Sequence, residues 1–536
     1  MKSVTSIQYD IAIFVAGFSL MVIEITSSRI VAPIIGSSIF TWTSVIGVTL
    51  LGLSIGSFVG GEIADRYVKS QGKKVVALAF LFAAALVYAI IPLSKSIRFV
   101  LNASFHILSL AVIVCAGLFL FPSIAIGMLS PILFKLYTRD SVDLGKKYGL
   151  LSGLWSLGSI VGVFATGFYF ITTIGSSGTI YLVAALLVAP FFFFYSTSIK
   201  RSSINFEFHR AFMVAVSVVI AVLVYCVFVK PDRVVSKTVF QEETAYYDLK
   251  VVNYDLYPQF GYNRILFLDI DSHSIQTEYP SKAFYTDIYP AFSAFSNTLN
   301  RIYVIGAGAY TLPINLRKQY PNATITVGEI DPELEKVGST YFGIDAYNIR
   351  TEVGDARVKF SGMLANTQAE KYDLIYGDAY NSFISVPWYL LTREFMADIR
   401  DHLAPDGLYA INFIGTLEGQ KSEMFRSVYR TFDAVFPNNY LFAFGTSTTA
   451  IQNITIIGIK NDTLLSTTEV AERLDTIDPT RFLSQRLVKK ELLNGGSGIT
   501  GGIILTDDFS PVESMMGDSM NEYFSQHLPL YMKILR

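Results

Sequence analysis

Charge is scarce in this chain. Only 16% of its 536 residues are Asp, Glu, Lys or Arg, 51% are hydrophobic, and the net charge is −2. That balance excludes an ordinary soluble protein, because so few polar groups cannot cover so apolar a chain. Cysteine is nearly absent. Cys115 and Cys226 both fall inside apolar runs, so no disulfide framework is indicated and the redox compartment is not revealed. There is no basic tract and no long low-complexity segment, which argues against a nucleic-acid partner. No metal cofactor is expected.

What is present is apolar sequence concentrated in the first 230 residues. Seven runs stand out, at residues 11–31, 40–60, 75–91, 107–136, 148–170, 179–195 and 211–229. Most approach the ~20 residues that cross a bilayer core. Further runs follow the first at once, so it reads as a span rather than a cleaved leader. The expectation is a multi-pass domain in the lipid bilayer of a cell membrane. In a seven-span arrangement twelve Lys and Arg, Arg66, Lys73, Lys135 and Lys200 among them, share one side and five the other. The positive side faces the cytoplasm, which puts the N-terminus inside and everything after Val229 outside. The long fourth run contains Pro122 and Pro131. If it were a re-entrant pair, the C-terminal half would lie inside, but one kinked helix suits the length better.

Residues 230–237 (KPDRVVSK) mark the boundary where apolar helix gives way to charged, strand-like sequence. Residues 239–276 alternate apolar and polar side chains around a turn at 258–263 and predict a small β-hairpin subdomain. From about residue 283 to 460, strand runs alternate with helix-type segments, which predicts a mostly parallel sheet with helices on both faces. The expected domains are therefore 1–230 in the membrane, 231–281 as linker and hairpin subdomain, and 282–536 as a nucleoside-binding α/β domain. Asp507 and Asp508 read as loop residues.

The chemistry concentrates between Tyr303 and Phe413. A short strand enters Gly306-Ala307-Gly308, the next ends at Gly328-Glu329-Ile330-Asp331, then come Gly354-Asp355-Ala356 and a strand ending at Gly377-Asp378. A glycine turn lets a nucleotide approach the backbone, and an acid about 20 residues later can hold ribose hydroxyls. Each acid also has a plainer reading. Glu329 and Asp331 could cap a helix beginning at Pro332, and Asp355 could be a turn residue.

The series as a whole resembles the spermidine synthases, polyamine aminopropyltransferases, over about residues 239–464. The membrane half resembles the multi-span segment of membrane-fused members. The stretch Glu243–Leu249, with Tyr247, is similar to that family's first strand, and Leu268-Asp269 through Gln276 to its second hairpin. Tyr285-Thr286-Asp287 stands where the family has Tyr-His-Glu/Asp along the amine cleft. Leu391–Phe395 and Leu403–Gly407 match the next helix and turn. The resemblance implies a class I methyltransferase-like (Rossmann-like) domain and an S-adenosylmethionine-type nucleoside, decarboxylated or intact, as cosubstrate. Gly306, Gly308, Glu329, Asp355 and Ala356 would hold the nucleoside. Asp378 would align and deprotonate the attacking amine, and Tyr247, Gln276, Tyr285, Asp287 and Asn381 would line the amine cleft.

The chain also departs from the family. Where the family has Gly-Gly-Gly-Asp-Gly-Gly, this chain has Gly306-Ala307-Gly308-Ala309-Tyr310-Thr311. On this reading Ala309 replaces the acid that pairs with the aminopropyl ammonium, Tyr310 and Thr311 narrow the site, and Asn381 replaces a second acid. The expected activity is aminopropyl-type transfer to an amine such as putrescine, releasing methylthioadenosine. The rivals are a non-catalytic polyamine or nucleoside sensor or transport accessory, and a transferase using intact S-adenosylmethionine. In the membrane half, residues 60–66 followed by Gly72-Lys73-Lys74 resemble the loop between helices two and three of major facilitator transporters. Glu24 and Arg29 lie in or at the end of the first run, where charges face a cavity or partner or snorkel to the headgroups. Seven spans are half such a transporter, so independent transport would call for a homodimer or another path.

Overall fold

The computed structural model describes residues 4–100, 107–139, 143–196, 238–279, 284–296, 298–361, 371–380, 385–461 and 465–535. The chain divides into two compact units, Met1–Val235 and Ser236–Leu535.

In the first unit, five helical stretches among the described residues are long and apolar enough to cross a membrane: Ile7–Ile35, Ile39–Lys69, Gln71–Ile97, Ser109–Thr138 and Leu144–Tyr195. The second and third meet at Gln71, whose backbone is non-helical. The last is 52 residues long and carries two of the runs read from sequence, with a break at Gly175 (φ 67°, ψ 175°), a conformation suited to glycine. The fourth run is helical throughout and not a re-entrant pair. A wider turn at Ala116–Leu120 just precedes Pro122, where it can accommodate the missing N–H. The seventh run, 211–229, lies outside the described residues. Glycines let these helices approach closely: a Cβ on Gly56 would lie 2.3 Å from the Ile124 carbonyl oxygen, and Gly52 and Gly60 face the same helix one turn to either side.

The second unit contains two sheets. The small one is antiparallel, in the order β1 (Thr238–Glu243), β2 (Asp248–Asn253), β3 (Asn263–Leu268) and β4 (Asp271–Thr277). Its period-2 alternation gives it two apolar faces. Leu249, Val251, Leu266 and Leu268 pack with Ala309, Leu334, Val337 and Phe342. Val252, Ile265 and Phe267 pack with Tyr531 and Ile534 of the helix Val512–Leu535.

The large sheet comprises β5 (Arg301–Ile305), β6 (Thr324–Glu329), β7 (Arg350–Val353), β8 (Tyr372–Gly377), β9 (Leu403–Gly415), β10 (Asn439–Ala443) and β11 (Gln452–Ile459). Its order is β10-β11-β9-β8-β5-β6-β7. β7, β6, β5, β8 and β9 run parallel, while β11 is antiparallel to both β9 and β10. This is a mixed, Rossmann-like sheet, mostly parallel as expected. From β5 the chain runs outward to β6 and β7, then returns to β8 on the other side. The crevice at such a reversal, outside the carboxyl ends of β5 and β8, is where open α/β sheets bind ligands.

Candidate active site

The two loops at that crevice are built against each other. Gly306 follows β5 with φ 89°, and a Cβ there would lie 2.6 Å from the Asp378 carbonyl oxygen. The Asp378 N–H donates to the Ile305 carbonyl at 2.9 Å. Glycine at 306 is therefore needed twice, for its dihedral and for the contact.

Glu329 ends β6 and is only 5% exposed. One carboxylate oxygen accepts the Ala307 N–H at 2.8 Å and the other the Asp331 N–H at 3.0 Å. Burial pushes its carboxyl up, while these backbone bonds pull it down. The residue lines the cavity, where a carboxylate can accept hydroxyl hydrogens. Helix capping falls instead to Asp331, which accepts the Glu333 N–H at 3.0 Å and the Thr244 hydroxyl at 2.5 Å. Asp355 is a helix cap rather than a turn residue. It caps the helix Ala356–Phe360 through the Arg357 N–H at 2.7 Å, and with Ala356 it walls the same cavity, taking the Tyr389 hydroxyl at 3.2 Å. Asp507 does not line the cavity. It braces this corner from outside by pairing with Arg357 and accepting the Thr392 hydroxyl at 2.7 Å.

Asp378 stands at the other end, just past β8. The Tyr285 hydroxyl donates to one carboxylate oxygen at 3.0 Å and the Asn412 amide to the other at 2.9 Å. Burial lifts its carboxyl to about 6, against the pull of these two donors. The group is mostly ionised at neutral pH, yet basic enough to share a proton. Tyr247, half-buried nearby, donates to the Tyr380 carbonyl at 3.2 Å. Gly306, Gly308, Glu329, Asp355, Ala356, Asp378, Tyr247 and Tyr285 thus line one cavity.

Other expected residues lie elsewhere. Gln276 and Asp287 line a neighbouring cavity behind the glycine loop; Gln276 is exposed, and Asp287 accepts the Phe284 N–H at 3.1 Å. His273 and Ser274 line the first cavity instead, where the pairing of β3 with β4 shifts register across His273. Asn381 lies outside the described residues. The reading of Ala309 is also corrected. Its methyl packs among the apolar residues between the two sheets, and its N–H donates to the Ser274 hydroxyl at 2.8 Å. Tyr310 (φ 61°) does not narrow the cavity. Its ring is buried in the core and its hydroxyl meets Thr351 at 2.8 Å. Gly306, Ala307, Gly308 and Thr311 of the loop line the cavity.

The sequence reading missed Asn412, Tyr380 and Tyr389. Asn412 carried a signal, as the one amide in the apolar run Ala410-Ile411-Asn412-Phe413 of β9. A buried polar group in a strand is costly unless it has a partner, here Asp378.

No protein-family model matches the chain. A polyamine aminopropyltransferase of Vibrio vulnificus is 33% identical over 141 residues, 26% of this chain and 46% of the relative. Polyamine aminopropyltransferase 2 of Aquifex aeolicus is 22% identical over 439 residues, 78% of this chain and 81% of its own, a match too long to lie within the second unit alone. A probable spermidine synthase of known structure from Corynebacterium glutamicum is 21% identical and aligns with 45% of this chain and 87% of its own, with a TM-score of 0.36. The chain spans about half the length of the first curated relatives it matches, 46% and 57%. Over these stretches the chain is similar to polyamine aminopropyltransferases.

Proposed function

We propose that the second unit transfers an aminopropyl-type alkyl group from a decarboxylated S-adenosylmethionine-type sulfonium to an amine. The observation that carries this reading is one cavity with two differently equipped ends. The glycine loop, Glu329 and Asp355 stand at one end, and Asp378, braced by Tyr285 and Asn412, at the other. The similarity to aminopropyltransferases supports the same chemistry.

In the reaction the amine nitrogen forms a bond to the carbon next to the sulfonium. The carbon–sulfur bond breaks, its electron pair stays on sulfur, and methylthioadenosine leaves. The acceptor must arrive with a free lone pair aimed along that bond. Asp378 accepts a hydrogen bond from the amine, orients it and takes up or relays its proton, while Tyr285 and Asn412 fix the carboxylate plane. Glu329 and Asp355 hold the nucleoside without touching the reacting atoms.

Asp378→Asn keeps the shape but removes the charge and the basicity. Methylthioadenosine release should fall by about a thousandfold or more, the scale of a lost positioning and base contribution, with nucleoside affinity changed less than about threefold. Turnover equal to wild type would remove Asp378 from the chemistry. A wild type that binds nucleoside and amine but releases nothing would favour the sensor. Turnover with intact S-adenosylmethionine alone would favour the other transferase. We further propose that the first unit holds this activity at a membrane, with seven spans and the second unit outside the cytoplasm.

A further inference from the structure

The glycine loop is gripped from two sides. On one side Gly306 lies against the Asp378 carbonyl oxygen. On the other stands β4 of the small sheet, whose Ser274 hydroxyl accepts the Ala309 N–H at 2.8 Å. A Cβ on Gly308, where φ is 50°, would lie 2.6 Å from the same hydroxyl oxygen. Ser274 therefore stands against two successive residues of the loop.

The strand is irregular at this point. Leu266 pairs with Ser274 and Phe267 with Ser272, which leaves His273 as an extra residue between two pairs. A bulge of this kind bends the strand and re-aims the side chains next to it. It brings Ser274 into the wall of the nucleoside cavity, beside the loop.

The bond satisfies a group that the loop leaves open. Tyr310, the residue before the helix Thr311–Gln319, donates its N–H back to the Ala307 carbonyl at 2.8 Å. The Ala309 N–H turns the other way, towards β4, and the Ala309 methyl is buried among Leu249, Leu266 and Leu268. A backbone N–H left without an acceptor in such a place is costly, so this loop conformation depends on the serine. The other end of the cavity is held separately, by the bonds of Tyr285 and Asn412 to Asp378.

We propose that Ser274 is a positioning residue for the nucleoside. It holds Gly308 and Ala309 in the form that leaves the loop open to the ligand, and it takes no part in the alkyl transfer. This rests on the nucleoside end of the transferase reading above. It makes nucleoside affinity depend on the small sheet, a layer that carries none of the acids at that end. Without Ser274 only a fraction of molecules keeps the competent loop, and apparent affinity falls by that fraction.

The test is titration calorimetry on the full chain in detergent, with methylthioadenosine as the probe. Ser274→Ala should weaken binding about tenfold, the scale of one lost hydrogen bond. In turnover, the same variant should raise the KM for the donor by a similar factor and change kcat less than about twofold, because Asp378 keeps its partners. Lower stoichiometry with unchanged affinity would mean that the serine serves folding alone, and would overturn the proposal. If Ser274→Ala does not fold, Ser274→Cys decides, since sulfur has nearly the same shape but is a weak acceptor. Weaker binding in that variant supports the positioning role, and unchanged binding overturns it. Release of methylthioadenosine separates the two readings. Turnover with no Ser274 dependence of the donor KM keeps the transferase and removes the positioning role. Ser274-dependent affinity in a protein that turns over no donor does the reverse. A wild type that binds no methylthioadenosine overturns both.

Discussion

Asp378 is a carboxylate kept in an expensive place. Its folded-state value of about 6 lies above the value of about 4 in an unfolded chain. Its contribution to stability is therefore fully present below pH 4 and lost as pH rises through 6, while the ionised form that chemistry needs appears over the same window. Turnover should rise with pH and level off above about 6.5, and the melting temperature of the ligand-free protein should fall across that range. Asp378→Asn should remove its share of that fall, on the order of 3 kcal/mol at most, since two pH units separate the values. A melting curve with the same pH slope in wild type and variant would contradict this. At Ala309 the structure reverses the expectation from sequence. Ala309→Asp would put a charge among Leu249, Leu266 and Leu334 rather than beside a ligand. It should destabilise the unit by several kcal/mol and give no new preference for the decarboxylated nucleoside, as calorimetry and thermal melting would show.

At the scale of elements, the glycine loop and the strand ends carry the site. Gly306→Val should combine a strained left-handed backbone with the contact against the Asp378 carbonyl oxygen. A loss of about 2–4 kcal/mol of stability, with nucleoside binding abolished, is expected from equilibrium unfolding and titration. This part of the molecule was legible in the sequence. Apolar strands ending in Gly-Glu or Gly-Asp announce which end of a parallel sheet is the working end, and Gly306, Glu329, Asp355 and Asp378 all line the cavity there. Asn412 and Tyr380 were not legible, because their role depends on β9 lying beside β8, a pairing that local periodicity does not specify. Nothing in the local pattern signals the irregular pairing at His273, and the burial of Ala309 between the sheets depends on β2 and β3 packing over it, which spacing does not specify. In the first unit the first six apolar runs were legible, and so were their breaks near Gln71 and Gly175.

For the whole molecule the open quantity is sidedness. The positive-charge bias and the seven spans read from sequence predict that the second unit lies outside. A reporter that is active only in the cytoplasm, fused after Arg536, should stay silent, and activity there would mean an even count. An external domain would need its nucleoside delivered across the membrane, so the reporter result also bears on where cosubstrate must be supplied.

The packing of Val252, Ile265 and Phe267 against Tyr531 and Ile534 has a consequence for biosynthesis. The small sheet is fully translated once residue 277 is made, but the helix that covers its outer face begins at Val512. At the usual 5–20 residues per second, a ribosome takes roughly 12–50 seconds to cover that distance. Throughout that interval the nascent chain presents an uncovered apolar face beside unfinished strands. The fold therefore depends on a late closing event, and a chaperone or the membrane surface itself is the natural shelter until it occurs.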